Sequence, residues 1–380
     1  MKIAHISDLH LGKIVHGYSM LEDQKDILTK ITALLEKEQV KTLLIAGDVY
    51  DKSIPSAEAV NLFDAFLVSL SKAGVKVFII SGNHDSGERV SFGADLMTLS
   101  GVHIAKPLTQ STRDIKPFTL QDEFGPVHIY LLPFIKPIHV KTAFETEEVD
   151  SYTQAVKTVV EAMHVDKTAR NILVTHQFVT GGERCDSELV SVGGADNVDS
   201  SVFDVFDYVA LGHLHGPQYI GRETLRYCGS PLKYSFSEVK HNKSLTIVHL
   251  NEKGNTKLEF FPLNPLHDWQ EIKGTYDALM AKEFYATRNV QDYYRVTLTD
   301  EDDVPNALER LRTVYKNIML LGYDNKRTAS AGQVGTLEQA ESKTPFEIFA
   351  EFYEKQNNQP LNEQQEKHLH QLIEKIWEEK

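Results

Sequence analysis

The chain has 380 residues, 41% of them apolar and 25% charged, with a net charge of −14. That length suits two or three domains rather than one core, and no apolar run approaches the ~20 residues that cross a bilayer. So acidic a chain does not attract nucleic acid through a passive basic surface, although bound cations or a partner subunit can invert the field locally. Its two cysteines, Cys185 and Cys228, make no disulfide framework, and the N-terminus opens straight into a strand pattern without a leader. Both features point to a cytoplasmic protein with no membrane association.

In chain order, apolar runs end again and again on residues that ligate metals. Residues 1–6 run into Asp8 and His10, and 42–46 into Gly47-Asp48. Residues 75–80 lead to Asn83-His84-Asp85, 172–175 to His176, and 208–211 to Gly212-His213-Leu214-His215. Each run has the length and β-branched content of a buried strand. Donor residues at the carboxyl ends of such strands converge where an α/β sheet builds its site. Residues 24–37, 57–73 and 151–164 read as helices. In the second, Val60, Phe63, Phe66, Leu67 and Leu70 recur at helical spacing and should lie on a sheet. Residues 225–227, 245–250 and 257–262 look antiparallel, with 251–255 as a turn between the last two. The expected architecture over residues 1–265 is α/β (α+β), two packed sheets flanked by helices.

Pro262 and Pro265 mark a boundary. A smaller α/β cap is expected over 266–340, with strands at 293–298 and 318–321 and a helix at 303–315. Residues 328–343 are polar and read as a flexible linker. The last segment, 341–380, begins with a capping box, Thr344-Pro345-Phe346-Glu347. Phe346, Phe349, Phe352 and Tyr353 then form an aromatic stripe, and a second helix from Asn362 repeats Leu369, Leu372, Ile373, Ile376 and Trp377 at helical spacing. Such helices fold back on their own domain or dock on a partner. The linker and the density of aromatics favour a partner.

Asp8, His10, Asp48, Asn83, His176, His213 and His215 suffice for two divalent metal ions. They divide into Asp8, His10, Asp48 and His215 for one and Asp48, Asn83, His176 and His213 for the other, with Asp48 giving one oxygen to each. Oxygen and nitrogen donors without thiolate suit Mn²⁺, Fe²⁺ or Zn²⁺. Two ions about 4 Å apart bind a phosphate, acidify a water and stabilise the leaving oxygen, so two-metal phosphoester hydrolysis is the expected chemistry. Alone, an Asp-x-His pair is usually a surface turn and a Gly-Asp a helix cap; five such blocks in order are hard to explain that way. His84, outside the ligand set, is expected to face the scissile phosphate as a catalytic residue. Asp85 either orients it or caps the turn.

These blocks, Asp8-Leu9-His10, Gly47-Asp48, Gly82-Asn83-His84-Asp85, His176 and Gly212-His213-Leu214-His215, resemble those of the calcineurin-like metallophosphoesterases. Within that superfamily the chain is most similar to the SbcD family, the nuclease subunits of bacterial SbcCD complexes. The similarity runs through His5-Ile6-Ser7-Asp8-Leu9-His10-Leu11-Gly12, Gly47-Asp48-Val49-Tyr50-Asp51, Ser81-Gly82-Asn83-His84-Asp85-Ser86, Tyr227-Cys228-Gly229-Ser230-Pro231 and the tail from Pro345 to Tyr353. The resemblance implies a two-metal nuclease, usually Mn²⁺-dependent, acting as a duplex exonuclease and a single-strand and hairpin endonuclease in DNA repair, recombination and replication. It implies an SbcC-like SMC-type ATPase as partner, held by the tail helices, and a homodimeric core within a heterotetramer. Asp51 stands where archaeal and eukaryotic relatives carry a second histidine, and aspartate is common there in bacterial members. Lys13, Lys52 and Arg89, near the ligand blocks, are the candidate DNA-phosphate contacts. A small-molecule metallophosphodiesterase or nucleotidase would use the same centre, but it leaves the cap and tail without a role. Asp51-Lys52-Ser53 breaks the Gly-Asp-x-x-Asp-Arg-Gly pattern of phosphoprotein phosphatases.

Overall fold

The computed structural model describes residues 1–188, 196–329, 344–357 and 359–378. It divides into two compact units, Met1–Asp268 and Trp269–Lys380. Among the described residues no helix is long and apolar enough to cross a membrane.

Two six-stranded sheets build the first unit. In one, Lys2–Ile6, Thr42–Ala46, Lys76–Ile80 and Val102–Ile104 run parallel, and Ser244–Leu250 pairs antiparallel with Lys2–Ile6 and with Thr256–Pro262 at the edge. In the other, Gly125–Leu132, Arg170–His176, Tyr208–Gly212 and Arg222–Tyr227 run parallel, with Phe118–Asp122 and Gln218–Ile220 as antiparallel edges. The strand expected at 225–227 as an antiparallel, hairpin-like piece pairs antiparallel with Gln218–Ile220, and on its other side lies parallel to Tyr208–Gly212. The short antiparallel Gln218–Ile220 strand carries the chain back first, so the next strand can run the same way as Tyr208–Gly212.

The central strands are apolar on both faces because both faces are covered. Ile172, Val174, Tyr208 and Ala210 meet Leu44, Ala46, Phe78 and Ile80 between the sheets. Their neighbours Leu173, Val209 and Leu211 point the other way, onto Val156 and Val159 of the Tyr152–Ala162 helix. On the first sheet, helix Leu21–Lys37 buries Ile27, Leu28, Ile31 and Leu35, and helix Ala57–Lys72 buries Phe63, Phe66, Leu67 and Leu70. Val60, expected with this face, is 42% exposed.

The second unit holds a three-stranded parallel sheet, Trp269–Gly274, Tyr293–Leu298 and Asn317–Tyr323. Tyr276, Leu279, Leu311 and Tyr315 pack on Tyr294, Val296 and Ile318. The helix expected at 303–315 is only Ala307–Leu311. Pro305 disfavours helical geometry before it, and Asn306 sits at φ 52°, so the helix cannot begin earlier. Apart from Thr328 and Ala329, the expected linker lies outside the described residues.

Two further helices, Pro345–Asn357 and Glu363–Glu378, follow. Thr344 and Glu347 bond reciprocally at the first, as do Asn362 and Gln365 at the second. The helices contact each other: the Phe346 ring stacks on His370 at 4.1 Å, and Gln365 Nε2 donates to the Tyr353 hydroxyl. Leu369 is buried, whereas Phe349, Phe352 and Leu372 are exposed. The side chain of Ile376 lies outside the described ones.

Candidate metal centre

Every donor block sits at the carboxyl end of a parallel strand. Asp8 follows Lys2–Ile6, Asp48 follows Thr42–Ala46, and Asn83 follows Lys76–Ile80. His176 ends Arg170–His176, and His213 and His215 follow Tyr208–Gly212. The turns that carry them are tight. Asp8 (φ 54°), His10 (φ 44°), Asp48 (φ 49°) and His213 (φ 108°) all lie in the left-handed region, which side chains avoid at a cost of about 1–3 kcal/mol each. Two glycines permit the close approach. A Cβ on Gly82 would strike the Asp48 carboxylate, and one on Gly212 would strike the Ala46 carbonyl and the His176 ring.

One half of the centre gathers Asp48, Asn83, His176 and His213. The His176 Nδ1–H donates to Ala46 O at 2.8 Å, which turns Nε2 toward Asn83 Oδ1 at 3.0 Å and Asp48 Oδ2 at 3.3 Å. His213 Nδ1 lies 2.8 Å from the same Asn83 oxygen, and its backbone N–H donates to the Asp8 carboxylate. Asp48 lies between the two groups of donors: its Oδ1 accepts the His84 amide at 2.9 Å, and its Oδ2 faces His176 Nε2 at 3.3 Å and His10 Nε2 at 3.7 Å.

The other half gathers Asp8, His10 and His215, whose ligand atoms lie within 4.8 Å of one another. His10 Nε2 and His215 Nε2 face each other at 3.1 Å. The proton on His215 is fixed from behind. Ser187 Oγ donates to the buried Glu238 carboxylate at 2.6 Å, so it accepts from His215 Nδ1 at 2.8 Å and leaves Nε2 as a lone pair. Lys243 holds Glu238 at 2.6 Å and also donates to the His215 carbonyl, while Glu188 accepts the His215 amide. Burial works against the Glu238 charge, but the Lys243 ammonium keeps its carboxyl well below the usual range. Ser187, Glu188, Glu238 and Lys243 were not among the expected site residues. They fall outside the strand-end pattern, and isolated polar residues in loops carry no sequence signal of their own.

The donors fit divalent cations. Burial pushes His10 and His213 down to about 3, so both rings are neutral and able to ligate at neutral pH. Burial raises Asp8 to about 6. Burial also opposes the Asp48 charge, but the neighbouring His176 holds its carboxyl well below the carboxylate range, and the Asp48 carboxylate, against the burial of the ring, raises His176 to about 9. His10 Nδ1 lies 3.6 Å from Asp51 Oδ1, which favours the proton there and leaves Nε2 as a lone pair facing that of His215 at 3.1 Å. Two buried carboxylates, four imidazoles and a carboxamide aimed at one space leave more lone pairs than internal donors can satisfy, and cations resolve this.

His84 lies at the rim, half-buried, with its ring 4.8 Å from that of His10. Its Nδ1–H donates to Asp51 O at 3.0 Å, which leaves Nε2 as the other ring nitrogen, outside that bond. Of the two roles expected for the catalytic candidate Asp85, orienting His84 or capping the turn, its contacts are those of the cap. Its oxygens accept the amides of Val49, Tyr50 and Gly82, which locks the Asp48 turn to the Asn83 turn. Lys13, expected at DNA, pairs with Asp51 at 2.6 Å, while Lys52 and Arg89 are exposed.

Comparison with known proteins bears on the same residues. Residues 1–217 match the model of the calcineurin-like phosphoesterases, and residues 265–357 match the type 5 capsule protein repressor C-terminal domain. The SbcD subunit of the nuclease SbcCD from Staphylococcus epidermidis is 33% identical over 380 residues, spanning 98% of this chain and 98% of that protein. A dimetal phosphatase from Danio rerio, known from a crystal structure, shares 13% identity with a TM-score of 0.43, over 70% of this chain and 96% of its own. The chain belongs to the calcineurin-like phosphoesterases and, along nearly its whole length, to the SbcD family of SbcCD nuclease subunits.

Proposed function

We propose that this chain is the metal-dependent nuclease subunit of an SbcCD-type complex, cutting DNA ends and hairpins with two ions, Mn²⁺ by preference, in the cytoplasm. The observation that carries this is the near full-length match to an SbcD nuclease subunit, over a chain whose seven donor side chains converge. Asp8, His10 and His215 would hold one ion and Asn83, His176 and His213 the other, with Asp48 between them. When bound, the ions supply Lewis acidity to a phosphodiester oxygen and to the attacking water. His84 acts from the rim. Its Nε2, outside the bond that ties Nδ1 to Asp51, stabilises charge on the phosphoryl group or passes a proton to the leaving oxygen. Lys52 and Arg89 are the exposed cations for the DNA backbone.

The domain assignment follows: a nuclease domain over 1–265, a capping domain over 266–340, and tail helices from 341 that bind an SbcC-like ATPase. Exposed Phe349 and Phe352 support the last. A homodimer within a heterotetramer is the expected assembly, and Phe92, Leu96 and Leu99, large apolar side chains close together in the chain and exposed, are candidates for its contact.

The test is a direct comparison of linear duplex DNA, hairpin DNA, nucleotides and a chromogenic phosphodiester, each with Mn²⁺. Cleavage of DNA with nucleotides left intact supports the nuclease. Turnover of nucleotides with intact DNA would replace it with a small-molecule phosphoesterase.

A further inference from the structure

Beside the His215 turn, the edges of the two sheets leave a cleft of about 560 Å³. Gly216 and Pro217 form one wall, directly after His215, and Phe260 of the Thr256–Pro262 edge strand forms another. In a chain of net charge −14 this cleft is cationic. Arg184, Arg226, Lys240, Lys243 and His241 line it, opposed among its described lining by Glu183. Two of these charges are already used. Arg184 is held by Asp196 at 3.1 Å and Lys243 by Glu238. Arg226 and Lys240 are not: neither has a carboxylate within ion-pair distance among the described residues. The Arg226 guanidinium carbon lies over the Phe260 ring, 4.2 Å from its centre, and its Nε is buried with no hydrogen-bond partner. His241 Nδ1, on the same wall, is likewise buried and unpartnered. Buried polar atoms left unpaired are costly, and a planar guanidinium next to a lysine suits a phosphate oxyanion.

We propose that this cleft binds a phosphate group, with Arg226 and Lys240 as its charged contacts. In the working enzyme that phosphate belongs to the nucleic-acid backbone flanking the position cut at the metal centre. This last step rests on the nuclease reading above. The cleft and the centre share a wall, since Lys243 Nζ donates to the carbonyl of His215. A strand crossing the centre therefore brings a neighbouring phosphate to Arg226, and its contacts fix register without reading sequence.

The experiment uses the full chain with Arg226→Gln, Lys240→Ser and the double substitution. A short fluorescent oligonucleotide is titrated over a salt series without Mn²⁺, and inorganic phosphate and a mononucleotide are titrated by calorimetry. Each substitution should weaken oligonucleotide binding about tenfold at low salt and flatten the slope of log K against log salt by roughly 0.7–0.9. Hydrolysis of a chromogenic phosphodiester with Mn²⁺ should stay unchanged. Loss of inorganic phosphate and mononucleotide binding with unaltered oligonucleotide binding would assign the cleft to a free phosphate and overturn the backbone assignment. Unaltered binding of all three would overturn the site itself. Lys240 is exposed, so its variant folds, and Arg226→Lys, which keeps the charge, should restore the salt slope. Wild-type cleavage of duplex DNA is scored separately, so failure of the nuclease reading is seen independently of the cleft.

Discussion

The two halves of the metal centre reach the same geometry by different means. The His176 half is made by the backbone: a ring nitrogen tied to the Ala46 carbonyl, a glycine at 212 that lets the sheets close, and a carboxylate oxygen held by the His84 amide. The His215 half is made by side chains. Ser187, Glu238 and Lys243 reach in from loops and settle which nitrogen of His215 carries the proton. A site built on main chain stands or falls with the fold, whereas one built on a relay can be detuned while the fold remains.

Substitutions should separate the two. His84→Ala, outside both halves, should give the largest effect, a fall in kcat of about 10²–10⁴, with two Mn²⁺ still bound by calorimetry. Loss of an ion instead would move His84 into the ligand set. Gly212→Ala attacks the backbone-built half, where the neighbouring Ala46 carbonyl cannot give way. It should destabilise the first unit by about 3 kcal/mol, read as a lower Tm, and also displace the His176 ring that the added Cβ would strike. Glu238→Gln leaves the buried Lys243 ammonium without its carboxylate, so it should cost about 3–5 kcal/mol of stability, read as a lower Tm, and weaken one of the two metal sites by about 10–100-fold, so that the calorimetric isotherm splits into a tight and a weak step. Ser187→Ala should act in the same direction at the lower end, about tenfold. The Ser187→Ala/Glu238→Gln pair should be no worse than the worse single change, because both interrupt one relay. Additive effects would show two independent supports. Truncation before Thr344 should be smallest of all at the centre, leaving chromogenic diester hydrolysis unaltered while co-purification with a coiled-coil ATPase is lost.

Much of this is legible in the sequence alone. Apolar runs of strand length ending on Asp, Asn or His mark both sheets and the edge where they open, because a strand buried on both faces has no other place for a charge. The seven donors gathered by the fold are those the runs point to. Asp85 is half legible: the carboxylate is evident, but its three amide partners depend on how two turns meet. The strand at Arg222–Tyr227 reads the same in either direction, and only its sheet neighbours decide that it runs parallel. Glu238 gives no warning at all. A lone glutamate in a polar loop normally faces water, and its burial depends on Lys243, five residues away, closing over it.

The left-handed backbone at Asp8, His10, Asp48 and His213 carries a last implication. Asp and His tolerate this backbone better than most side chains but less well than glycine, so the native state is less stable here than a different sequence would make it. Selection for robustness alone would drift toward glycine or asparagine at these turns. An inactive homologue that kept this fold would be expected to show such replacements first, and to melt later than its working counterpart.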